Sequence, residues 1–418
     1  MRSLLVAVGT YGDVLPILAL GVELKRRGHE VAVAAPPPFA GMASRAGLPF
    51  QPLGTTEDYE RFISAQALWR PLRGIKPLFT FVTALVEPVY RWLEAEYRPG
   101  SDIVVASTLS LGARVAQDAL DLTLITVHVM PFLVESRFAP PRLPGLPLPR
   151  WLPPDIRHRI ALSADKYVIG PAALPRLNAF RAAIGEGPVR RLRYWWNSRQ
   201  RVILMFPDWF AAPQADWPAQ ARQVGFPQAD HLGANPDLDA DLESFLAEGE
   251  APLAFTYGSA MRQAGAFFRT AVAICARLGR RGILIAPEDG QVPGKLPPNV
   301  MHVRYAPFSA LLPRCAALVH HGGVGTVAQA LAAGVPQLIV PVAFDHFDEA
   351  RRVVDLGVGT TLSRRHFTSR RAARLLRDLL ADPAIARACA ITCERAVGDD
   401  GVIAACDVIE EFLRLPVA

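Results

Sequence analysis

Short, nearly unbroken apolar runs alternate along this chain with longer segments of helical spacing. Arg2–Val8 is the first run, and its lack of polar interruption predicts a strand buried on both faces. Gly9-Thr10-Tyr11-Gly12-Asp13-Val14-Leu15-Pro16 then reads as a turn into a helix, with Asp13 a candidate N-cap and Pro16 in the first turn. Leu18, Leu20, Val22 and Leu24 carry that helix to a stop at Gly28, and Glu30–Ala35 is the next strand. The opening is βαβ, which predicts a parallel, doubly wound sheet. Its turn is not G-x-G-x-x-G, so no NAD site is predicted there.

The pattern continues with a strand at Ser101–Ala106, a helix at Ser110–Ala119 and a strand at Leu122–Val127 that ends on His128. The segments Gly54–Lys76 and Pro131–Pro154 lack a regular period and predict long loops above the C-terminal sheet edge. Strands at Arg201–Phe206 and Arg222–Gly225 close the first series. Residues 227–250 are polar and acidic and read as a linker with a short helix near Asp241–Ala247. A second βαβ series follows, with strands at Pro252–Tyr257, Gly282–Ala286 and Asn299–Tyr305 and a helix at Ala264–Leu278. The expected fold is α/β, two Rossmann-like doubly wound domains at 1–226 and 251–400, with a terminal helix at 401–418.

The richest chemistry lies in Tyr305–Val353. A buried strand, Ala316–Val319, runs into His320-His321-Gly322-Gly323-Val324-Gly325-Thr326, then a helix over Val327–Ala333 that stops at Gly334 before Pro336. A glycine-rich turn between a strand and a helix N-terminus offers unpaired N–H groups and the positive end of the helix dipole to a phosphate. Thr326 can add a hydroxyl and His321 a ring N–H.

Tyr305-Ala306-Pro307, the His321–Thr326 turn, Gly334-Val335-Pro336, Pro341 and Asp345 together resemble the donor-binding signature of the family 1, UDP-glycosyltransferase-like nucleotide-sugar glycosyltransferases. The resemblance implies the glycosyltransferase B architecture, two domains facing a cleft, with the last helix crossing back to the first domain. It implies that Tyr305 stacks on the base while backbone around Ala306 reads the base edge. His321, Gly322, Gly323, Gly325 and Thr326 would hold the diphosphate, with Gly258 and Ser259 from the other side. Gln329 would lie at the ribose, and Asp345 and His346 at the sugar. Asp13 matches the place of the catalytic base in a bacterial subgroup, beside Gly12; its other reading is a helix cap alone. Gly12, His128, Phe79, Phe132 and Phe138 are the candidate acceptor contacts, and His128 has a structural reading too. A carboxylate at a helix N-terminus is expected to have a lowered pKa, which burial under an apolar acceptor would offset. Two residues depart from the pattern: His346 replaces a Gln, and Gln329 replaces a ribose-reading Glu. The second fits a deoxythymidine diphosphate sugar, since that donor lacks one ribose hydroxyl.

Within the family, Gly9–Pro16, Glu87–Tyr90, Asp102–Val105, Leu111–Arg114, Phe206–Pro218 and Tyr305–His320 are similar to the rhamnosyltransferase B group of rhamnolipid synthesis. That implies L-rhamnose moved from dTDP-L-rhamnose onto a 3-(3-hydroxyalkanoyloxy)alkanoate, giving a mono-rhamnolipid. Apolar Phe132, Phe138, Leu143, Leu146 and Trp151 in the long loops agree with a lipid acceptor. One alternative is a UDP-glucose or dTDP-deoxysugar transferase acting on a macrolide, sterol or polyphenol. A nucleotide-sugar-binding protein or epimerase without transfer activity is the reading of another class.

Composition narrows the setting. With 418 residues, 51% apolar and 20% charged, the chain has room for two ordinary cores. No apolar run approaches the roughly 20 residues of a membrane-spanning helix, and the chain opens directly into a strand, so the expected compartment is the cytoplasm. Cys389 and Cys393 lack a second ligand pair and read as reduced packing cysteines; no DxD-type metal motif precedes the donor turn, and the resemblance implies inverting transfer with no metal or other cofactor. The formal charge is +6, mostly from arginine, which suits an anionic donor and an anionic membrane surface. No motif supports nucleic-acid binding. Arg190, Arg191, Arg193, Arg199 and Arg201 surround Tyr194, Trp195 and Trp196, a pattern of either peripheral contact with the inner membrane surface or a solvated helix with tryptophans in the core.

Overall fold

The computed structural model describes residues 2–143, 149, 151–229, 232 and 237–414; Leu146 lies outside them. The chain separates into two compact units, Met1–Ala234 with Asp399–Ala418, and Asn235–Gly398. Among the described residues no helix is long and apolar enough to cross a membrane.

The first unit is built on a seven-stranded sheet: β1 (Arg2–Val6), β2 (Glu30–Ala35), β3 (Phe50–Pro52), β4 (Asp102–Ser107), β5 (Leu124–His128), β6 (Arg201–Leu204) and β7 (Ala221–Gln223). The order is β3-β2-β1-β4-β5-β6-β7, and all pairs are parallel. Every residue of β1, β4 and β5 is buried, which is why their centres, such as Leu4–Val6 and Ile103–Ala106, read as apolar runs. The order reverses between β1 and β4, and in such sheets the crevice outside the strand ends at the reversal is where ligands bind. There β1 leads into helix α1 (Tyr11–Arg26).

Three helices fill the stretch 56–96: Thr56–Ser64, α2 (Ile75–Ala84) and Val86–Glu96. The first corrects the loop expected at 54–76. Thr55 starts it by accepting the Asp58 N–H at 3.1 Å, and its aromatic face closes a cluster in which Phe62 and Phe81 stack at 4.4 Å. Phe79 of α2 is only 3% exposed and belongs to the core. Helix α3 (Leu111–Leu120) follows β4.

The basic aromatic stretch 188–201 is tied down internally. Arg191 pairs with Glu135 at 2.7 Å and Arg199 with Asp121 at 3.4 Å, while Arg193 donates to the Phe132 carbonyl. Trp196 is buried and the Trp195 indole donates to Asp118 at 2.9 Å. Tyr194 alone among the three aromatics is openly exposed. The stretch therefore presents few free charges for a membrane surface.

The second unit carries a six-stranded sheet: β8 (Leu253–Thr256), β9 (Gly282–Ile285), β10 (Val300–Val303), β11 (Ala317–His320), β12 (Gln337–Ile339) and β13 (Gly359–Thr361). The order β10-β9-β8-β11-β12-β13 is again all parallel, with its reversal between β8 and β11. Its helices include α4 (Gly265–Leu278), α5 (Val324–Ala332), α6 (His346–Asp355) and α7 (Ser369–Ala381). The segment expected as a linker, 227–250, contains the helix Ala240–Ala247, whose Leu242 is buried in the core of this unit with Ile283 and Leu318. The terminal helix α8 (Gly401–Arg414) packs on α1 of the first unit, where Arg27 reaches Asp407 at 2.6 Å and Glu410 at 3.1 Å.

Candidate active site

In the first unit the candidate centre is the turn between β1 and α1. Gly9 adopts φ +135°, and a Cβ on it would strike the Asp13 carboxyl. Thr10, not Asp13, is the N-cap of α1; Asp13 sits at the third helical position and reaches back. Its Oδ2 accepts the Thr10 N–H at 2.8 Å and the Thr10 hydroxyl at 3.3 Å, as in a capping box. The turn is braced by β4, whose Ser107 hydroxyl accepts the Val8 N–H at 3.1 Å. The helix position led to an expected lowering of the Asp13 pKa, and the structure reverses this. Asp13 is half-buried by surface area, yet protein surrounds its carboxyl, and burial pushes its pKa up to about 6 against the two Thr10 hydrogen bonds. A carboxylate with that value is ionised at neutral pH and is a better base than an ordinary one.

The acceptor candidates fare unequally. His128 is wholly buried at the end of β5, with Nδ1 2.7 Å from the Thr108 hydroxyl and Nε2 2.8 Å from Asn197 Oδ1. Burial lowers its pKa to about 4. Both nitrogens are taken, so His128 is a structural residue and not an acceptor contact. Phe79 is likewise core. Phe132 is half-buried beneath the Arg193 guanidinium, while Phe138 and Gly12 are exposed.

The run Phe206–Pro218 is packing. The Trp209 indole donates to Asp399 at 3.0 Å, and Phe210 meets Phe226 edge-on at 4.9 Å. Asp216 accepts from Ser136 and from the Arg137 N–H, fixing the backbone just before Phe138. These contacts give the most distinctive motif of the chain a structural reason.

In the second unit the candidate centre is the turn between β11 and α5, beside the end of β8. His321 is 8% exposed, and its Nδ1 is a buried polar atom without a partner. Leaving such an atom unpaired costs about 1–3 kcal/mol. Glycines enclose the ring: a Cβ on Gly323 would lie 2.5 Å from its Nε2, and one on Gly258, at φ +87°, 3.0 Å from the ring. His346 closes another side, ring to ring at 4.8 Å and nearly perpendicular. Burial holds His321 near a pKa of about 4 and His346 well below the usual imidazole value, so both rings are neutral at pH 7. His320 is a brace: its Nε2 meets Gln337 Oε1 at 3.0 Å and its Nδ1 accepts the Gly322 N–H at 3.2 Å. The Gly322 amide, expected on the diphosphate, is thus already engaged.

The N-cap of α5 is Gly323, which has no side chain to cap it. The first N–H groups of α5 have no side-chain cap, the condition under which a helix N-terminus can take an anion, with exposed Gly325 and half-buried Thr326 in the first turn. Gln329 is buried one turn deeper. Ser259 is exposed beside Gly258, and Tyr305, 52% exposed, stands past the end of β10 next to buried Ala306. Asp345 is buried at the N-cap of α6, directly after Phe344, whose φ of +49° is unusual for a residue with a side chain.

Sequence reasoning missed two features. An aromatic stack runs from Phe367 to Phe267 at 5.2 Å and on to Tyr257 at 4.3 Å, and Tyr257 meets the His321 ring edge-on at 6.5 Å. Glu349 of α6 is fully buried with neither oxygen hydrogen-bonded, and burial raises its pKa well above the carboxylate range. In sequence Asp348-Glu349-Ala350-Arg351-Arg352 looks like a solvated helix face.

Calicheamicin glycosyltransferase CalG4 superposes with a TM-score of 0.72 at 22% identity, covering 99% of this chain and 98% of that one. Spinosyn rhamnosyltransferase SpnG, complexed with thymidine diphosphate, gives 0.68 at 20% identity, covering 98% and 100%. The fold is therefore that of the glycosyltransferase B class. A glycosyltransferase family 28 N-terminal domain model matches residues 3–138, and an erythromycin biosynthesis protein CIII-like C-terminal domain model matches 281–399. O-mycaminosyltylonolide 6-deoxyallosyltransferase of Streptomyces fradiae is 30% identical over 437 positions, covering 99% of this chain and 97% of that one. The chain belongs to this EryCIII-like family of glycosyltransferases.

Proposed function

We propose that the chain moves a deoxyhexose from a deoxythymidine diphosphate sugar to a hydroxyl of an apolar natural product of the macrolide kind, with inversion and without a metal. The observation that carries this reading is the uncapped N-terminus of α5 beside a neutral imidazole with an unpaired nitrogen. The acceptor oxygen attacks C1 of the sugar, and the C1–O bond to the diphosphate breaks with its electron pair on the diphosphate. The α5 N–H groups, Thr326 and His321 answer the charge that grows there; each such donor is worth about 3 kcal/mol. Asp13 takes the proton of the acceptor hydroxyl. Asp345 and Gln329 contact the sugar and ribose, and Tyr305 the base.

The Streptomyces fradiae relative, named for a macrolide substrate, and the thymidine diphosphate complex of SpnG support the donor and acceptor classes. The second reading, L-rhamnose placed on a hydroxyalkanoyloxyalkanoate, draws on exposed Phe138 and Trp151. It is weaker because Phe206–Pro218, the motif that most favoured it, is engaged in packing.

The test pairs dTDP-L-rhamnose and UDP-glucose with a macrolide aglycone and with a 3-(3-hydroxyalkanoyloxy)alkanoate, with and without chelator, read by mass spectrometry. A glycosylated macrolide from the dTDP sugar that persists in chelator is expected. A rhamnolipid alone would move the assignment to the second reading, and donor hydrolysis without transfer would overturn both.

A further inference from the structure

A basic groove lies in the Asn235–Gly398 unit, apart from the residues assigned to the donor. Arg370, Arg371, Arg374 and Arg377 of α7 and Arg277 of α4 line a groove of about 580 Å³, with Ala373 at its wall. Among the described residues none of the five lies at ion-pair distance from a carboxylate; Arg277 donates to the Ser369 hydroxyl at 2.9 Å. Asp378, one turn on from Arg374, makes no ion pair either. Arg191, Arg193 and Arg199 of the stretch 188–201 are the contrast, since they are answered by Glu135, the Phe132 carbonyl and Asp121.

The arrangement is unfavourable for the helix itself. Arg370 and Arg371 occupy the first turn of α7, where cations oppose the helix dipole. Arg370 and Arg374, and likewise Arg374 and Arg377, are like charges at helical neighbour spacing, which repel. Ala372, Ala373, Leu376 and Leu379 are buried against the unit, so this polar face cannot turn away. A bound anion would relieve all of these terms at once.

We propose that this groove binds a soluble polyphosphate or similarly phosphorylated small anion. Guanidinium forks match phosphate oxygens in pairs, and several around one concavity can hold a multiply charged anion. A membrane surface fits less well. Interfacial binding needs apolar side chains to enter the lipid boundary, and the groove lining offers only Ala373.

The test is calorimetric titration of the intact protein with inorganic tripolyphosphate. Wild type is compared with Arg371→Gln/Arg374→Gln/Arg377→Gln and with a charge-matched control, Arg73→Gln/Arg190→Gln/Arg387→Gln. The groove variant is expected to lose one binding site or at least about tenfold in affinity, with the control within about twofold of wild type. It should also melt no lower than wild type without ligand and lose the tripolyphosphate-induced rise in Tm. Equal binding by all three proteins would overturn the proposal. So would groove-dependent sedimentation with phosphatidylglycerol vesicles and no groove-dependent response to tripolyphosphate, which would make the groove a membrane surface instead.

Discussion

The β1–α1 and β11–α5 turns stand at equivalent places, each at the reversal point of its own parallel sheet. Each holds one titratable side chain that a glycine keeps clear: Gly9 for the Asp13 carboxyl and Gly323 for the His321 ring. Burial then drives the two groups in opposite directions, the acid up to about 6 and the imidazole down to about 4. Both shifts favour the neutral form, as desolvation must. The finish differs at the helix. Asp13 spends its carboxylate on the Thr10 N–H, whereas α5 has a glycine at its N-cap and no side-chain cap on its N–H groups. On the proposed reading, one architecture therefore yields a base at one turn and an anion seat at the other, and the choice rests on a few residues.

The largest effect should come from removing the acid. Asp13→Asn keeps an acceptor for the Thr10 N–H and loses the base, so kcat should fall by about 10²- to 10⁴-fold. Nucleotide affinity, measured by calorimetry, should be unchanged, because the anion seat is untouched. In the wild type the base form is lost as pH falls through about 6, so kcat/KM should show an acid limb there, and the variant should lack that limb. The stability sign follows from the same shift. The folded-state pKa is raised, so stability is present below the unfolded value and is lost as pH rises through about 6. The Tm difference should thus move in favour of Asp13→Asn between about pH 4 and about pH 7. A wild-type profile flat across this range would remove Asp13 from the base role.

A smaller effect tests the other turn. Gly323 has an ordinary φ of −63°, so alanine there is not strained by the backbone. Its Cβ would fall 2.5 Å from His321 Nε2 and force the ring aside. Gly323→Ala should weaken nucleotide binding and lower kcat by about 10²-fold, as for loss of one preorganised donor, while the acid limb stays near 6 because Asp13 is undisturbed. Unchanged nucleotide affinity in this variant would separate His321 from the diphosphate.

How much of this was legible in sequence depends on how local the cause is. The strand, turn and helix patterns around Gly9 and Gly323 lie within short windows, so fold class and both turns could be read. The pKa direction of Asp13 could not, because the local rule at a helix N-terminus points down and only tertiary burial reverses it. His128 looked like a ligand at a strand end, but its partners Thr108 and Asn197 come from other elements. The helices between 56 and 96 were obscured because their aromatic faces pack on one another. Glu349 was invisible because the charged run Asp348–Arg352 reads in sequence as a solvated helix face, while Asp348 and Glu349 are both buried.

The finest adjustment to the comparison is the Thr10 hydroxyl. It donates to Asp13 Oδ2 at 3.3 Å and holds the pKa down against burial. Thr10→Val removes that bond and keeps the backbone N–H bond at 2.8 Å. A hydrogen bond to the charged form lowers an acid's pKa, so its loss should raise the acid limb of kcat/KM by about a few tenths of a pH unit. At about pH 8, where Asp13 is ionised in both proteins, kcat should differ little. A downward shift of the limb would mean that the hydroxyl stabilises the neutral acid instead of the carboxylate.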